Sequence, residues 1–272
     1  MDDHKWSKVP SIAADMMMVD LEDSVPAPLK EAARERLVEV LRTPGSVGDK
    51  LVMARPNHLD SPWGRDDLIA IARAGARYVA YPKIEQVDDL IAAVDLLAQH
   101  GCRPVVFAIV ETAAALLDIR DIARVPQVGA LMFGSGDLSS DLGIPLLAST
   151  GDLNPTLTQM KSQAVLAAAA NGLLISDTVY GPDLRDLDAF RERAVSSRDS
   201  GFTAFATFYP PHVDVINSVL TPGPAEVSAA QDLVLAYERL VDDGRPAAVD
   251  QHGRTILIHD YVKAQKTLAR SR

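Results

Sequence analysis

Residues 103–123 read RPVVFAIVETAAALLDIRDIA, and this segment is the clearest indication of the fold class. Its first part is a short run that is apolar on both faces, which is typical of a parallel β-strand covered on both sides. Its second part repeats apolar residues at helical spacing. Residues 129–134 then read GALMFG, which predicts the next strand. The order strand, helix, strand indicates a parallel sheet.

The same alternation runs outward in both directions along the chain. We predict further strands at residues 16–20, 50–55, 78–82, 172–178 and 203–208. Helical patterns lie between and around the strands, at residues 29–41, 66–74, 87–99, 112–123, 154–170 and 184–200. This reading counts seven strands, whereas a (β/α)8 barrel has eight. We therefore predict an α/β fold of the TIM barrel class with an incomplete or irregular first strand.

The pattern changes after Pro210. Residues 213–219 and 225–242 are helical in pattern, residues 244–253 are polar and loop-like, and residues 255–269 predict a terminal helix or a strand followed by a helix. We assign residues 1–220 to a catalytic barrel domain. Residues 221–272 form a C-terminal helical extension, which we expect to pack on the barrel or on a neighbouring subunit.

Composition excludes several classes of function. The chain of 272 residues carries a net charge of −10, and an acidic surface repels the phosphates of nucleic acids. No apolar run reaches the roughly 18 residues that a membrane span needs, and the N-terminus has no apolar signal core. Cys102 is the only cysteine, so no disulfide can form within the chain, and we expect a buried thiol. These features predict a cytoplasmic protein.

Candidate site residues follow from the fold, because α/β barrels place their active sites at the C-terminal ends of the strands. Most of the polar residues there are acids, and a ring of carboxylates repels itself unless a cation neutralises it. Carboxylates with water suit Mg²⁺ or Mn²⁺, and the absence of His and Cys clusters disfavours zinc. The residues concerned are Asp20, Glu22, Asp23, Arg55, Asn57, Lys83, Glu85, Glu111, Asp137, Asp177, Tyr209 and His212.

Two of these acids are the predicted metal ligands. Glu111 directly follows the apolar run, and Asp137 lies in FGSGDLSSDLG, where Gly134 and Gly136 allow the backbone to approach a ligand closely. The alternative for each is a structural acid in a turn or in the first turn of a helix. Their positions after successive strands favour a metal site.

Arg55 ends a predicted strand, where a guanidinium can bind a substrate carboxylate through two hydrogen bonds. The alternative is a salt bridge to a barrel acid such as Glu22 or Glu111, and Lys83 is expected to pair with a neighbouring acid. In DLEDSV, a strand would place Asp20 and Glu22 on one side and Asp23 on the other, with at least one ionised against Arg55 or metal-bound water. A capped helix start is the other interpretation of this segment.

Together these motifs resemble the citrate lyase β-subunit-like family, within the HpcH/HpaI aldolase group that includes malyl-CoA and citramalyl-CoA lyases. The matching stretches fall in the family's order, and the pair DLEDSV and FGSGDLSSDLG is the most specific part of the match. The stretches are VDLEDSVPAPLKEAAR, RPN at 55–57, YPKIE at 81–85, VET at 110–112, FGSGDLSSDLG and SGFTAFATFYPPHVDVIN.

The resemblance implies a homotrimeric or hexameric TIM barrel. It implies Mg²⁺ on Glu111 and Asp137, and a keto- or hydroxy-acid carboxylate bound by Arg55 and Glu111 with Asp23 nearby. Arg55, Glu22 and Asp260 are the implied catalytic residues, with Asp260 reaching a neighbouring subunit's site. The implied reaction is cleavage or formation of a carbon–carbon bond in a hydroxyacyl-CoA such as malyl-, citramalyl- or citryl-CoA.

This sequence departs from the family at three places. It lacks the usual opening strand, and it has Phe205 and Tyr209 where relatives have Lys and His. The spacing around Asp260 also differs. Three hypotheses therefore stay open: a Mg²⁺-dependent lyase on a CoA thioester, an aldolase on a free hydroxy or keto acid, and a non-catalytic relative that binds the metal and a keto acid.

Overall fold

The structure is a computed structural model that describes residues 6–242, 248–249 and 255–271. The chain divides into two compact units, Met1–Val213 and Asp214–Arg272. No helix in the described part of the chain is both long enough and apolar enough to cross a membrane.

The first unit is built on a parallel sheet whose strands follow one another in chain order. All seven predicted strands are confirmed, and no eighth strand joins this sheet within the described residues. The fold is the α/β TIM barrel type, with seven strands in place of eight. The strands are β1 (Met16–Asp20), β2 (Leu51–Arg55), β3 (Tyr78–Tyr81), β4 (Val105–Val110), β5 (Val128–Phe133), β6 (Leu174–Thr178) and β7 (Ala204–Ala206).

Most helices follow the strands as the sequence predicts, with two differences. The helix Ser135–Asp141 was not among the predicted ones. The predicted helix at 112–123 is two short helices, because Asp118 leaves helical geometry at φ −94° and ψ 6°. Short 3-10 helices occupy Val9–Ser11 and Ala27–Leu29. The helices are α1 (Lys30–Arg42), α2 (Gly64–Arg73), α3 (Val87–Gln99), α4 (Ala113–Leu117), α5 (Ile119–Ile122), α6 (Ser135–Asp141), α7 (Pro155–Ala170), α8 (Leu187–Asp199) and α9 (His212–Leu220).

Both faces of the sheet are buried, which explains the apolar runs in the sequence. One face packs on the helices and includes Val79, Val106 and Leu131, with the predicted buried thiol of Cys102 in the same core. The other face forms a separate, smaller cluster around Ile109 and Met132. Alternate side chains of each strand therefore enter different apolar layers.

The second unit contains most of α9, followed by α10 (Pro224–Asp242), a short antiparallel pair of β8 (Ala248–Val249) and β9 (Thr255–Ile256), and α11 (Ile258–Arg270). The predicted helix at 225–242 and the predicted strand and helix at 255–269 are confirmed. Most of the predicted loop at 244–253 lies outside the described residues.

Strand register determines which side chains meet at the C-terminal edge of the sheet. Asp20 of β1 is the register partner of Arg55 in β2, and Val110 of β4 is the partner of Phe133 in β5. The backbone N–H of Gly134 then donates to the carbonyl of Val110 at 3.0 Å. The loops that follow these strands consequently lie at one edge of the sheet.

Candidate active site

Arg55 is held by two acids from the loop that begins at the end of β1. Its Nε and Nη2 donate to the two carboxylate oxygens of Asp20 at 2.6 and 2.7 Å, and its Nη1 lies 3.2 Å from Oε2 of Glu22. Burial would raise the pKa of Asp20, but Arg55, Ser24 and the backbone N–H of Glu22 outweigh it and lower that pKa to about 2. The predicted salt bridge of Arg55 is therefore present, with Asp20 as the bidentate partner.

Glu22 is a buried carboxylate that lies between two cations. Oε1 of Glu22 is 2.6 Å from Nζ of Lys83, which also contacts Oδ1 of Asp23 at 2.7 Å. Burial raises the pKa of Glu22, while Lys83 and Arg55 oppose that rise. Lys83 pairs with neighbouring acids as predicted, and Asp23, whose side chain is 51% exposed, keeps an accessible carboxylate.

The backbone of Lys83 also orients Glu111. The N–H of Lys83 donates to Oε1 of Glu111 at 2.7 Å. Lys83 has φ 51°, a left-handed conformation that costs a residue with a Cβ on the order of 1–3 kcal/mol. Lys83 therefore contacts three acids. Its backbone N–H binds Glu111, and its ammonium group forms ion pairs with Glu22 and Asp23.

Glu111 and Asp137 follow the ends of β4 and β5, respectively. Glu111 is buried one residue past the end of β4, and a Cβ at Gly134 would lie only 2.5 Å from Cβ of Glu111. Asp137 is an exposed residue in the first turn of α6. Burial raises the pKa of Glu111 well above its ordinary value, and the charges of Glu22 and Asp137 add to that rise. Two acids therefore stand within electrostatic reach of each other.

This pair fits Mg²⁺ by the chemistry of its donors. Mg²⁺ is usually held by one or two carboxylates, with water and substrate oxygens completing its coordination. Among the described residues, the side chain of Glu111 accepts one hydrogen bond, at Oε1, and the side chain of Asp137 accepts none. No cluster of three or more His, Cys, Asp or Glu side chains that could hold a metal occurs among the residues that the structure describes. A site with two protein ligands therefore matches Mg²⁺ better than zinc.

A buried lysine supports the loop that carries Glu22. Nζ of Lys30 donates to the carbonyls of Leu21 and Glu22, each at 2.7 Å, and to Oδ1 of Asn57 at 2.6 Å. Asn57 in turn donates to Asp67 at 2.6 Å. Because all three donors of this ammonium group are used, the loop has one well-defined path.

Tyr180 extends the site on the side of Asp137. It follows β6 and is half-buried, and its hydroxyl lies 3.2 Å from the position that a Cβ would take at Gly136. Burial raises the pKa of Tyr180, with the charges of Asp137, Asp177 and Glu111 adding to the rise and Arg55 opposing it. The phenol is therefore a neutral hydrogen-bond donor.

Two predicted strand-end residues, Asp177 and His212, have other roles. Asp177 is fully buried and accepts hydrogen bonds from Lys161 and Ser197, so its expected place at the active-site edge is wrong. His212 is buried, with both ring nitrogens engaged, by Thr207 and by the carbonyl of Leu184.

Asp260 lies in the first turn of α11, in the second unit. Its Oδ2 accepts the backbone N–H of Leu257 at 2.9 Å. Asp260 therefore caps the N-terminus of this helix, and its catalytic role stays a prediction.

The HpcH/HpaI aldolase/citrate lyase family matches residues 3–210, the part that contains the sheet and every residue around Glu111 and Asp137. The chain belongs to this family.

Relatives within the HpcH/HpaI family act on CoA thioesters by two different reactions. A (3S)-malyl-CoA thioesterase of Cereibacter sphaeroides is 32% identical over 267 residues, covering 97% of this chain and 89% of that protein. An L-malyl-CoA/beta-methylmalyl-CoA lyase of the same species is 29% identical, covering 96% of this chain and 88% of that protein.

A solved structure of the family has the same fold over nearly the whole chain. The protein CitE from Mycobacterium tuberculosis, in complex with magnesium, acetoacetate and coenzyme A, matches with a TM-score of 0.79 and 28% identity. The match covers 98% of this chain and 93% of that one. Another structure from that organism, a citrate lyase β subunit with oxaloacetate and magnesium, matches with a TM-score of 0.68 and 28% identity over 80% of this chain and 92% of that one.

The structure brings together most of the site residues predicted for this HpcH/HpaI family member. Arg55, Glu22, Asp23, Glu111 and Asp137 lie along one connected edge of the first unit. Sequence reasoning did not single out Lys30 or Tyr180. Lys30 could have been found, because it lies on the buried stripe of α1 with Ala33, Leu37 and Val40. Tyr180 follows a strand in an irregular loop, and no periodicity marks it.

Proposed function

We propose that this protein is a Mg²⁺-dependent carbon–carbon lyase that cleaves or forms a hydroxyacyl-CoA such as malyl-CoA. The observation that carries the proposal is the pair Glu111 and Asp137 beside the restrained guanidinium of Arg55. Two carboxylates would hold Mg²⁺ and leave coordination positions for a keto acid. Arg55 would bind the acid's carboxylate, which aligns the bond that breaks.

The chain's own residues supply orientation and charge. Asp20 and Glu22 hold Arg55 on one side, so its remaining N–H groups point in a fixed direction. Lys83 neutralises Glu22 and Asp23 and positions Glu111. Mg²⁺, when bound, would supply a Lewis acid that stabilises negative charge developing on an oxygen of the substrate.

The reaction balances without an added oxidant or reductant. In malyl-CoA, the bond between the acyl α-carbon and the hydroxyl-bearing carbon breaks. The hydroxyl loses its proton and becomes the carbonyl of glyoxylate, while the α-carbon gains a proton and becomes the methyl group of acetyl-CoA. Glu22 and Asp260 are our candidates for moving these protons, and Asp23 is a candidate substrate contact. Following the family, we expect Asp260 to act from a neighbouring subunit in a homotrimer or hexamer.

A second candidate is hydrolysis of the same thioester. It is favoured by the higher identity, 31–32%, to (3S)-malyl-CoA thioesterases than to the malyl-CoA lyases, at 27–29%. Both reactions use a hydroxyacyl-CoA, so substrate binding alone does not distinguish them. Their products do: cleavage releases glyoxylate and acetyl-CoA, whereas hydrolysis releases malate and free CoA.

The test measures both sets of products from (3S)-malyl-CoA with and without Mg²⁺. We expect glyoxylate to form with Mg²⁺, and Asp137→Asn and Glu111→Gln to reduce its rate by about 100-fold or more, since each removes a metal ligand. Asp95→Asn is the matched control, because Asp95 is an exposed carboxylate on α3.

Other outcomes assign the remaining functions. Free CoA without glyoxylate identifies the thioesterase. Turnover of free hydroxy or keto acids but not of thioesters identifies the free-acid aldolase, which Phe205 and Tyr209 favour. Metal-dependent keto-acid binding without any turnover identifies a non-catalytic relative. Wild-type rates in both metal-ligand variants would refute the site itself.

A further inference from the structure

The hydroxyl of Tyr180 lies beside the candidate metal site without a partner of its own. No hydrogen bond joins it to any residue in the described part of the chain. The hydroxyl oxygen lies close to Gly136: a Cβ added to that glycine would be 3.2 Å from it. Gly136 is the residue directly before Asp137, so the hydroxyl lies close to the backbone that carries that carboxylate.

Charged groups act on Tyr180 in addition to its partial burial. Asp137, Glu111 and Arg55 all act on this phenol electrostatically, and Asp177 acts from the helix side of the sheet. A phenol hydroxyl that no described side chain holds is available to donate a hydrogen bond to a bound ligand.

We propose that Tyr180 is a substrate-binding residue whose hydroxyl donates a hydrogen bond to an oxygen of the keto or hydroxy acid held at Glu111 and Asp137. This inference rests on the proposed function and adds a further protein contact to the acid. The neutral phenol can donate to an anionic oxygen, which a carboxylate at the same place could not do. A donor of this kind favours small oxo acids with an oxygen turned toward α6.

The experiment measures metal binding and acid binding separately. Mn²⁺ alone is titrated first, and oxaloacetate or glyoxylate is then titrated in saturating Mg²⁺, for wild type, Tyr180→Phe and Tyr78→Phe. Tyr78 is the matched control, because it lies at the start of β3, away from the C-terminal strand ends. We expect Tyr180→Phe to weaken oxo-acid binding about tenfold while Mn²⁺ affinity changes by less than about twofold, as loss of one hydrogen bond to an anion would do. Tyr78→Phe should match wild type in both titrations.

Gly136→Ala supplies an independent probe. Its methyl group would press on the hydroxyl at 3.2 Å, so it should weaken oxo-acid binding in wild type. In the Tyr180→Phe background the same methyl group meets no oxygen and should cost less, which a double-mutant cycle measures.

Three results would overturn the assignment. Unchanged oxo-acid binding in Tyr180→Phe refutes it and leaves the proposed function intact. An equal loss of Mn²⁺ and oxo-acid affinity shows that the hydroxyl acts on the carboxylates instead of the substrate. Absence of metal-dependent binding in wild type removes both the inference and the proposed function.

Discussion

Replacing Gly134 with alanine tests the closest approach in the site. A Cβ there would lie 2.5 Å from Cβ of Glu111 and 3.0 Å from its Oε2. Carbon atoms pack at about 3.5–4.0 Å, so one group must move by roughly 1 Å. Overpacking costs about 1–3 kcal/mol, and the reduced entropy of the unfolded chain returns about 0.4–1 kcal/mol. We therefore expect Gly134→Ala to lower the free energy of unfolding by about 1–2 kcal/mol.

The functional effect of Gly134→Ala should exceed its effect on stability. Glu111 is the residue displaced, so we expect Mg²⁺ affinity to fall by about 10–100-fold, the range seen when support for a metal ligand is lost. Urea unfolding and calorimetric Mg²⁺ titration measure the two effects on one preparation.

Gly223→Ala is the control for this experiment. Gly223 does not have a positive φ, and a Cβ there meets nothing within 4 Å. If Gly134→Ala binds Mg²⁺ as tightly as wild type, then Glu111 is not a ligand at this position and the reasoning fails.

Two further predictions concern charged groups. The pKa of Asp20 is lowered from 3.8 to about 2, so its pairing with Arg55 should contribute roughly 2 kcal/mol above pH 4 and lose that contribution as the pH falls toward 2. Urea unfolding at pH 5 and pH 2.5 should show this loss in wild type and less of it in Asp20→Asn. Lys161→Met leaves the buried Asp177 without its cation and should destabilise the protein by about 3–5 kcal/mol, and adding Asp177→Asn should restore part of that stability in thermal unfolding. A Lys161→Met variant as stable as wild type would show that this buried pair is dispensable.

The sequence predicted the sheet well because the strands are buried on both faces. Each apolar run, such as Val105–Val110, reads as a continuous strand with a polar residue at its end. Helix α3 has the predicted bounds because polar and acidic residues begin it and a His-Gly pair follows it. The break at Asp118 was not predicted, since the apolar spacing continues across it.

Register and side-chain direction limited prediction of the site. Asp20 proved to be the main partner of Arg55 because parallel register places the two side by side, and register is not visible in one sequence. Asp177 illustrates the second limit. Asp177 is near the C-terminal end of β6, as predicted, but its side chain faces the helices, where Lys161 and Ser197 contact it. Tyr180 depends on the path of an irregular loop, which only the structure reveals.

The chain order of the sheet also has a consequence for how the protein folds. Every strand pairs only with its neighbours in sequence, and β1 and β7 share no backbone pairing in the described structure. Closing an ordinary barrel requires the first and last strands to meet across the whole domain, which adds the most non-local contacts to the fold. Here each strand–helix unit can add to the one before it. The first unit should therefore fold by growth along the chain, with no late closure step between residues 16 and 206.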